Sequence, residues 1–214
     1  EKAVVTTEEP GCKLAEVDLV INIDASSSMT ESNFLEMLDF CKDIVDYTDV
    51  DSGSARIGIL VFSTDAEIQF HLNKYNTTAA VKAAIDKIEF IYGRTNTAAA
   101  LRTMHSRMFT RSNGDRPEVP NVGILLTDGV SNLDIRRTIP EANNARTKDI
   151  ELYAIGIKVS DTQELDSIAN TPTDQFRFLV KTFEELAGLT EKIICGERFG
   201  AGCGNIFILP ERCL

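Results

Sequence analysis

At 214 residues the chain is long enough for one sizeable hydrophobic core and short for two. Its 43% hydrophobic content excludes a disordered chain, and 22 basic against 33 acidic residues, a net charge of −11, exclude a nucleic-acid binder, whose phosphates require a basic face. No apolar run approaches the ~20 residues of a membrane span, and the opening Glu1-Lys2-Ala3-Val4 lacks a signal-peptide pattern, so the chain reads as a mature form or an excised piece.

Residues 1–15 carry no periodicity and are expected as a loose N-terminal lead-in. Val17 to Ile23 is an apolar, β-branched run of strand length. Thr30 or Ser32 can cap a helix that runs to about Tyr47. Strands are expected at about 56–63 and 66–72, and the short Ser63-Thr64-Asp65 link makes them an antiparallel hairpin. Val81, Ala84, Ile85 and Ile88 fall at helical spacing and predict a helix over 78–89. A second helix is expected from Ala98 to Phe109, a loop at 112–117 and a strand at 121–127. Pro140 is expected to open a helix to about Lys148, because proline suits a first helical turn. A strand at 150–157, a helix at 163–169, a short strand at 176–180 and a helix at 183–194 complete the pattern. This alternation predicts an α/β protein: a doubly wound, mostly parallel sheet with helices on both faces and one antiparallel edge strand. Residues 195–214 form a cysteine- and glycine-bearing tail outside it, which can begin a further module.

Three turns carry chemistry. Asp24-Ala25-Ser26-Ser27-Ser28 leaves the first strand with one carboxylate and two hydroxyls at alternate positions. Such all-oxygen ligands suit a hard divalent cation, Mg²⁺ above all. Gly93-Arg94-Thr95-Asn96-Thr97 adds a hydroxyl-rich turn before a helix, and the buried run from Gly123 ends at Asp128-Gly129. In an open parallel sheet, ligands bind outside the carboxyl ends of strands at the switch point of strand order. Asp24 and Asp128 each follow such an end, so they are expected on one rim although far apart in sequence.

These motifs, in this order and with Arg56-Ile57-Gly58-Ile59-Leu60-Val61-Phe62-Ser63, resemble the von Willebrand factor A domain, also called the integrin I domain, from about Glu16 to Ile194. The resemblance implies a Rossmann-like doubly wound fold and a metal-ion-dependent adhesion site formed by Asp24, Ser26, Ser28, Thr95 and Asp128. Ser26, Ser28 and Thr95 would supply hydroxyl oxygens, the aspartates would act directly or through water, and one position would stay open for an acidic side chain of a partner. Mg²⁺ is the implied ion, with Mn²⁺ or Ca²⁺ as substitutes. Thr97 is the runner-up for Thr95, and its competing reading is a helix cap. The family often has glycine where this chain has Ala25, Ser27 and Ala98, but no ligand oxygen is lost. Members of the family tie their ends with a cysteine pair, which implies Cys12–Cys195. Cys203 and Cys213 remain in the tail and can pair with each other, which indicates an oxidising compartment. Cys41 is left over; Phe34, Leu38, Cys41 and Val45 share helical spacing, so a buried, inert thiol is expected. The sequon Asn76-Thr77-Thr78 is compatible with secretion and glycosylation at Asn76.

Phosphatases of the haloacid dehalogenase type also place an aspartate after the first strand, but they need a second carboxylate two positions on, where this chain has Ser26. No enzyme is therefore expected. The first turn lacks Gly-x-Gly-x-x-Gly, which excludes a dinucleotide site. His71, on the expected edge strand, and His105, on a helix, belong to separate segments and predict no zinc site. The sequence thus points to a secreted extracellular matrix module, resembling those of matrilins and non-fibrillar collagens, that adheres to a protein or matrix ligand through Mg²⁺. Collagen is the ligand suggested by resemblance alone. The alternative is a structural A domain, as in byssal or shell matrix proteins, with a vestigial metal site. An integrin-like receptor setting is less compatible with disulfide-closed ends and a cysteine-bearing tail.

Overall fold

The computed structural model describes residues 16–190 and 193. Six strands, β1 (Val17–Asp24), β2 (Ala55–Phe62), β3 (Ala66–Phe70), β4 (Asn121–Thr127), β5 (Ile150–Ile157) and β6 (Arg177–Val180), form one sheet in the order β3-β2-β1-β4-β5-β6. All neighbours pair in parallel except β2 and β3, the expected hairpin. Strand order reverses at the β1–β4 junction, which is the switch point where open sheets bind ligands.

Alternate residues of β1 serve the two faces of the sheet. Leu19, Ile21 and Ile23 join a core with α1 (Glu31–Asp46) and α2 (Thr78–Ile85). Val20 joins the opposite core with α3 (Thr97–Thr103), α4 (Ile135–Arg146) and α5 (Gln163–Ile168). The same even-numbered register carries Asp18, Asn22 and Asp24, all fully buried. Cys41 is buried in the α1 core as a free thiol, and burial raises its pKa. Cys12, Cys195, Cys203 and Cys213, the lead-in and the tail lie outside the described residues.

Several elements depart from the sequence expectations. Pro140 does not open its helix: α4 starts five residues earlier, at Ile135, and carries Pro140 inside it. The N–H that proline lacks would have bonded the Arg136 carbonyl, and both residues lie on the exposed side of the helix. The helix expected to Phe109 is α-helical only to Thr103 and widens into a π-turn over Met104–Met108, closed by the Phe109 N–H donating to the Met104 carbonyl. The turn seats two methionines against strand glycines. A Cβ at Gly123 would lie 2.6 Å from the Met104 sulfur, and one at Gly58 would lie 3.0 Å from the Met108 methyl. The helix expected over 78–89 ends at Ile85, and i→i+3 bonds from Lys87 and Ile88 tighten its exit. A helical turn, α6 (Thr173–Phe176), precedes β6, and the last expected helix opens as a 3-10 turn over Glu184–Gly188. His71 falls just past the end of β3 rather than on it.

Candidate metal centre

Register places the two key carboxylates together. Ile23 pairs with Leu126, so Asp24 and Asp128 sit one and two residues beyond the last paired positions of adjacent parallel strands. Asp24 and Ser26 are buried, Asp128 is half-buried and Ser28 is exposed.

A single chain of hydrogen bonds joins four of the five predicted residues. The Ser26 amide donates to Asp24 Oδ1 at 2.8 Å. The Ser26 and Ser28 hydroxyls lie 2.9 Å apart, and the Ser28 hydroxyl donates to Asp128 Oδ1 at 2.6 Å. The remaining Asp24 oxygen accepts from the Thr127 hydroxyl at 2.5 Å. Thr127 is a residue the sequence reading missed. As the final residue of β4 it resembles any buried β-branched strand position, and only the pairing of β1 with β4 reveals its partner.

Thr95 is brought to the rim by its neighbours. The Gly93 carbonyl accepts from both the amide and the hydroxyl of Ser27, at 2.9 and 3.0 Å. Gly93 must be small, because a Cβ there would lie 2.7 Å from the Thr64 hydroxyl. On the other side, the Thr95 amide donates to Asn132 Oδ1 at 3.0 Å, and the Asn132 amide side chain reaches the Thr95 hydroxyl at 3.3 Å. Asn132 was also missed; it lies in the loop after β4, where no periodicity marks it. Ser131 in that loop is held by Glu164 of α5 at 2.8 Å.

The expected cap role of Thr97 is overturned. Asn96 caps α3 by accepting from the Ala99 amide at 3.0 Å, and Thr97 is the first helical residue. Its hydroxyl is buried without a hydrogen-bond partner. At α1, Thr30 rather than Ser32 is the cap, accepting from the Asn33 amide at 3.2 Å.

Burial pushes the Asp24 carboxyl up to about 6, the Thr127 and Ser26 contacts oppose this, and the charge of Asp128 adds to it. Asp128 is raised as well, first by burial, with the Ser28 bond and the charge of Lys158 opposing. The donor set fits a hard cation. Two carboxylates, three hydroxyls and no nitrogen or sulfur ligand match Mg²⁺ chemistry. Among the described residues no cluster of three His, Cys, Asp or Glu side chains forms, so any ion here depends on the hydroxyls. His105 lies away from the rim, buried against Glu141 at 2.9 Å.

Comparison with known proteins bears on this arrangement. The chain is 34% identical over 208 residues to matrilin-4 of Mus musculus, covering 94% of this chain and 33% of that protein. It is 30% identical over 191 residues to the collagen alpha-1(XII) chain of Notophthalmus viridescens, covering 88% of this chain and 20% of that one. It thus spans a third or less of the length of these two relatives. Proximal thread matrix protein 1 from the mussel byssus superposes with a TM-score of 0.80 at 27% identity, covering 86% of this chain and 48% of that one. A second structure of that protein, also at 0.80, has zinc occupying its MIDAS motif, the metal-ion-dependent adhesion site. These relatives are extracellular matrix proteins, and the chain shares their secreted setting; no helix among its described residues is long and apolar enough to cross a membrane. The von Willebrand factor type A domain model matches residues 18–192, and with its doubly wound sheet the chain belongs to that family.

Proposed function

We propose that this domain is a non-enzymatic adhesion module of the extracellular matrix, binding a protein ligand through Mg²⁺ held by Asp24, Ser26, Ser28, Thr95 and Asp128. The observation that carries this reading is a fully buried Asp24 beside Asp128, linked through the Ser26 amide and two serine hydroxyls and not by a base. Two such carboxylates repel one another, and a divalent cation offsets both charges. Mg²⁺ supplies a Lewis-acidic centre with exchangeable waters, and neutral serine and threonine ligands leave it attractive to an incoming carboxylate. Mn²⁺ and Ca²⁺ offer the same charge. Asp24 and Asp128 hold the charge, Ser26 and Ser28 orient the turn, and Asn132 fixes Thr95 at the opposite side. The rim has Ser26 where an acid–base carboxylate would stand, which supports binding without turnover.

The same reading takes residues 16–194 as the domain, with 1–15 and 195–214 flanking it, closed by Cys12–Cys195 and with Cys203–Cys213 paired in the tail. Asn76 is exposed in the loop before α2, as a glycosylated side chain must be. Collagen is the ligand to test first, on family resemblance alone.

One observation favours a second reading. The hydrogen bonds from Asp24 through Ser26 and Ser28 to Asp128, with Thr127 beside Asp128 returning to Asp24, satisfy these side chains among themselves, as expected of a structural domain with a vestigial site. Binding to surface-coated collagen in Mg²⁺, in EDTA, and with the acidic side chains of the collagen neutralised separates the two. The adhesion reading predicts binding only in the first condition, and loss of it in Asp24→Ala. Equal binding in all three assigns adhesion to another face.

A further inference from the structure

We propose that the cleft beside the candidate metal centre is a second anion subsite, so that the partner is an acidic polypeptide segment gripped at two points. One carboxylate would reach the metal, and a second would be held by Arg94, Arg136 and Arg137. The inference rests on the metal reading above and extends it to the chemistry of the partner.

The cleft holds about 400 Å³ and is lined by Arg94, Asn132, Leu133, Asp134, Ile135, Arg136 and Arg137. It is continuous with the metal rim. Arg94 is the chain neighbour of Thr95, and the Thr95 carbonyl accepts from the amides of Asn132 and Leu133 at 3.0 and 3.2 Å. The cleft therefore adjoins the rim on its Thr95 side.

The charge of the cleft runs against that of the molecule. The chain carries −11 overall, yet three arginines converge here against one lining carboxylate, Asp134. Their donors are largely unspent. Arg94 donates to the Asn132 carbonyl at 2.5 Å and retains the rest of its fork. Arg137 has only a distant Glu141, at 4.0 Å. Arg136 is exposed and makes no ion pair among the described residues. Arg136 and Arg137 also occupy the first turn of α4, where the helix dipole disfavours cations. An incoming carboxylate would relieve that repulsion and take bidentate bonds from the guanidinium plane.

The apolar lining selects a polypeptide over a sulfated glycan. Ile135 is 57% exposed in the cleft, and Val130, in the same loop two residues past Asp128, is 43% exposed. Both offer contact to an aliphatic side chain, while Asp134 and the overall negative charge repel a dense polyanion.

The test uses fluorescent synthetic peptides of Gly, Ala, Ser and Val carrying one Glu, or two Glu separated by about 10 to 28 Å of extended chain. Affinities are measured by anisotropy in Mg²⁺ and in EDTA, for the wild type and Arg136→Gln/Arg137→Gln. We expect at least one two-Glu peptide to bind wild type about five-fold tighter than the one-Glu peptide in Mg²⁺, and that ratio to fall toward one in the double variant. EDTA-sensitive one-Glu binding with a ratio near one at every separation overturns the cleft and spares the metal. An unchanged ratio in the double variant does the same. One-Glu binding that is absent or indifferent to EDTA overturns the metal reading and the two-point mode with it. Labelled heparin that binds in EDTA and is lost from the double variant, with a peptide ratio near one, replaces the acidic polypeptide by a sulfated glycan.

Discussion

Asp18 and Asp24 lie on the same face of the same strand, both fully buried, about 20 Å apart along β1. Their surroundings differ in kind. Asp18, at the amino end, accepts from Arg116 Nε at 2.8 Å and from the Arg116 amide at 2.6 Å. The same guanidinium also donates to the carbonyls of Val17, Gly53 and Ser54. Burial leaves the Asp18 carboxyl raised, with the Arg116 contacts opposing that shift. Among the described residues Asp24, at the carboxyl end, accepts from Thr127 and Ser26, and the charge acting on it is that of another carboxylate, Asp128. One end of the strand carries its own cation and reads as a structural clamp. The other gathers oxygen and negative charge where open sheets bind ligands, and is the end at which we propose the cation binds.

The largest expected effect tests the clamp. Arg116→Met leaves Asp18 buried and unpaired, and should cost about 3–5 kcal/mol in urea unfolding. Adding Asp18→Asn should recover much of that loss. A single-variant loss below about 1 kcal/mol would make the two ends alike.

The next effect concerns the metal-free rim. Between pH 3.8 and about 6 the folded protein holds a proton on Asp24 that the unfolded chain has released. Stability in EDTA should therefore fall as pH rises through this window, by on the order of 3 kcal/mol, measured as the difference between wild type and Asp24→Asn. A flat difference, or a rise with pH, would mean that the burial of Asp24 is already compensated by its hydrogen bonds.

A finer probe is Thr127→Val, which keeps the shape and removes the hydroxyl that orients Asp24. Mg²⁺ affinity should drop by roughly ten-fold, as for the loss of an outer hydrogen bond to a metal ligand. Unchanged affinity would show that the Asp24 rotamer is fixed by packing alone.

The sequence carried most of the fold because the buried strands are continuous apolar runs and the turns between them are rich in Gly, Ser and Asp. β4 spans 121–127, the range its apolar run predicts. What it hid depends on neighbours distant in sequence. The π-turn at Met104–Met108 forms where Gly58 and Gly123, from two other strands, leave room for methionines. α4 begins before Pro140 and carries it as its sixth residue, a placement that the local preference of proline for a first turn does not predict. Of the candidate site, the carboxylates and hydroxyls were legible because their alternate spacing leaves a strand directly. Thr127 and Asn132 were not, since a strand-end threonine and a loop asparagine gain meaning only from what β1 and the turn at Thr95 bring beside them.

The most direct measurement is calorimetric titration of Mg²⁺ into the metal-free wild type and into Asp24→Ala, at a pH above 7 where Asp24 is ionised. The account predicts one-to-one binding in the wild type and none in the variant, whose fold is retained because the substitution removes a buried carboxylate that faces the charge of Asp128. Equal binding by both proteins, or none by either, would contradict it.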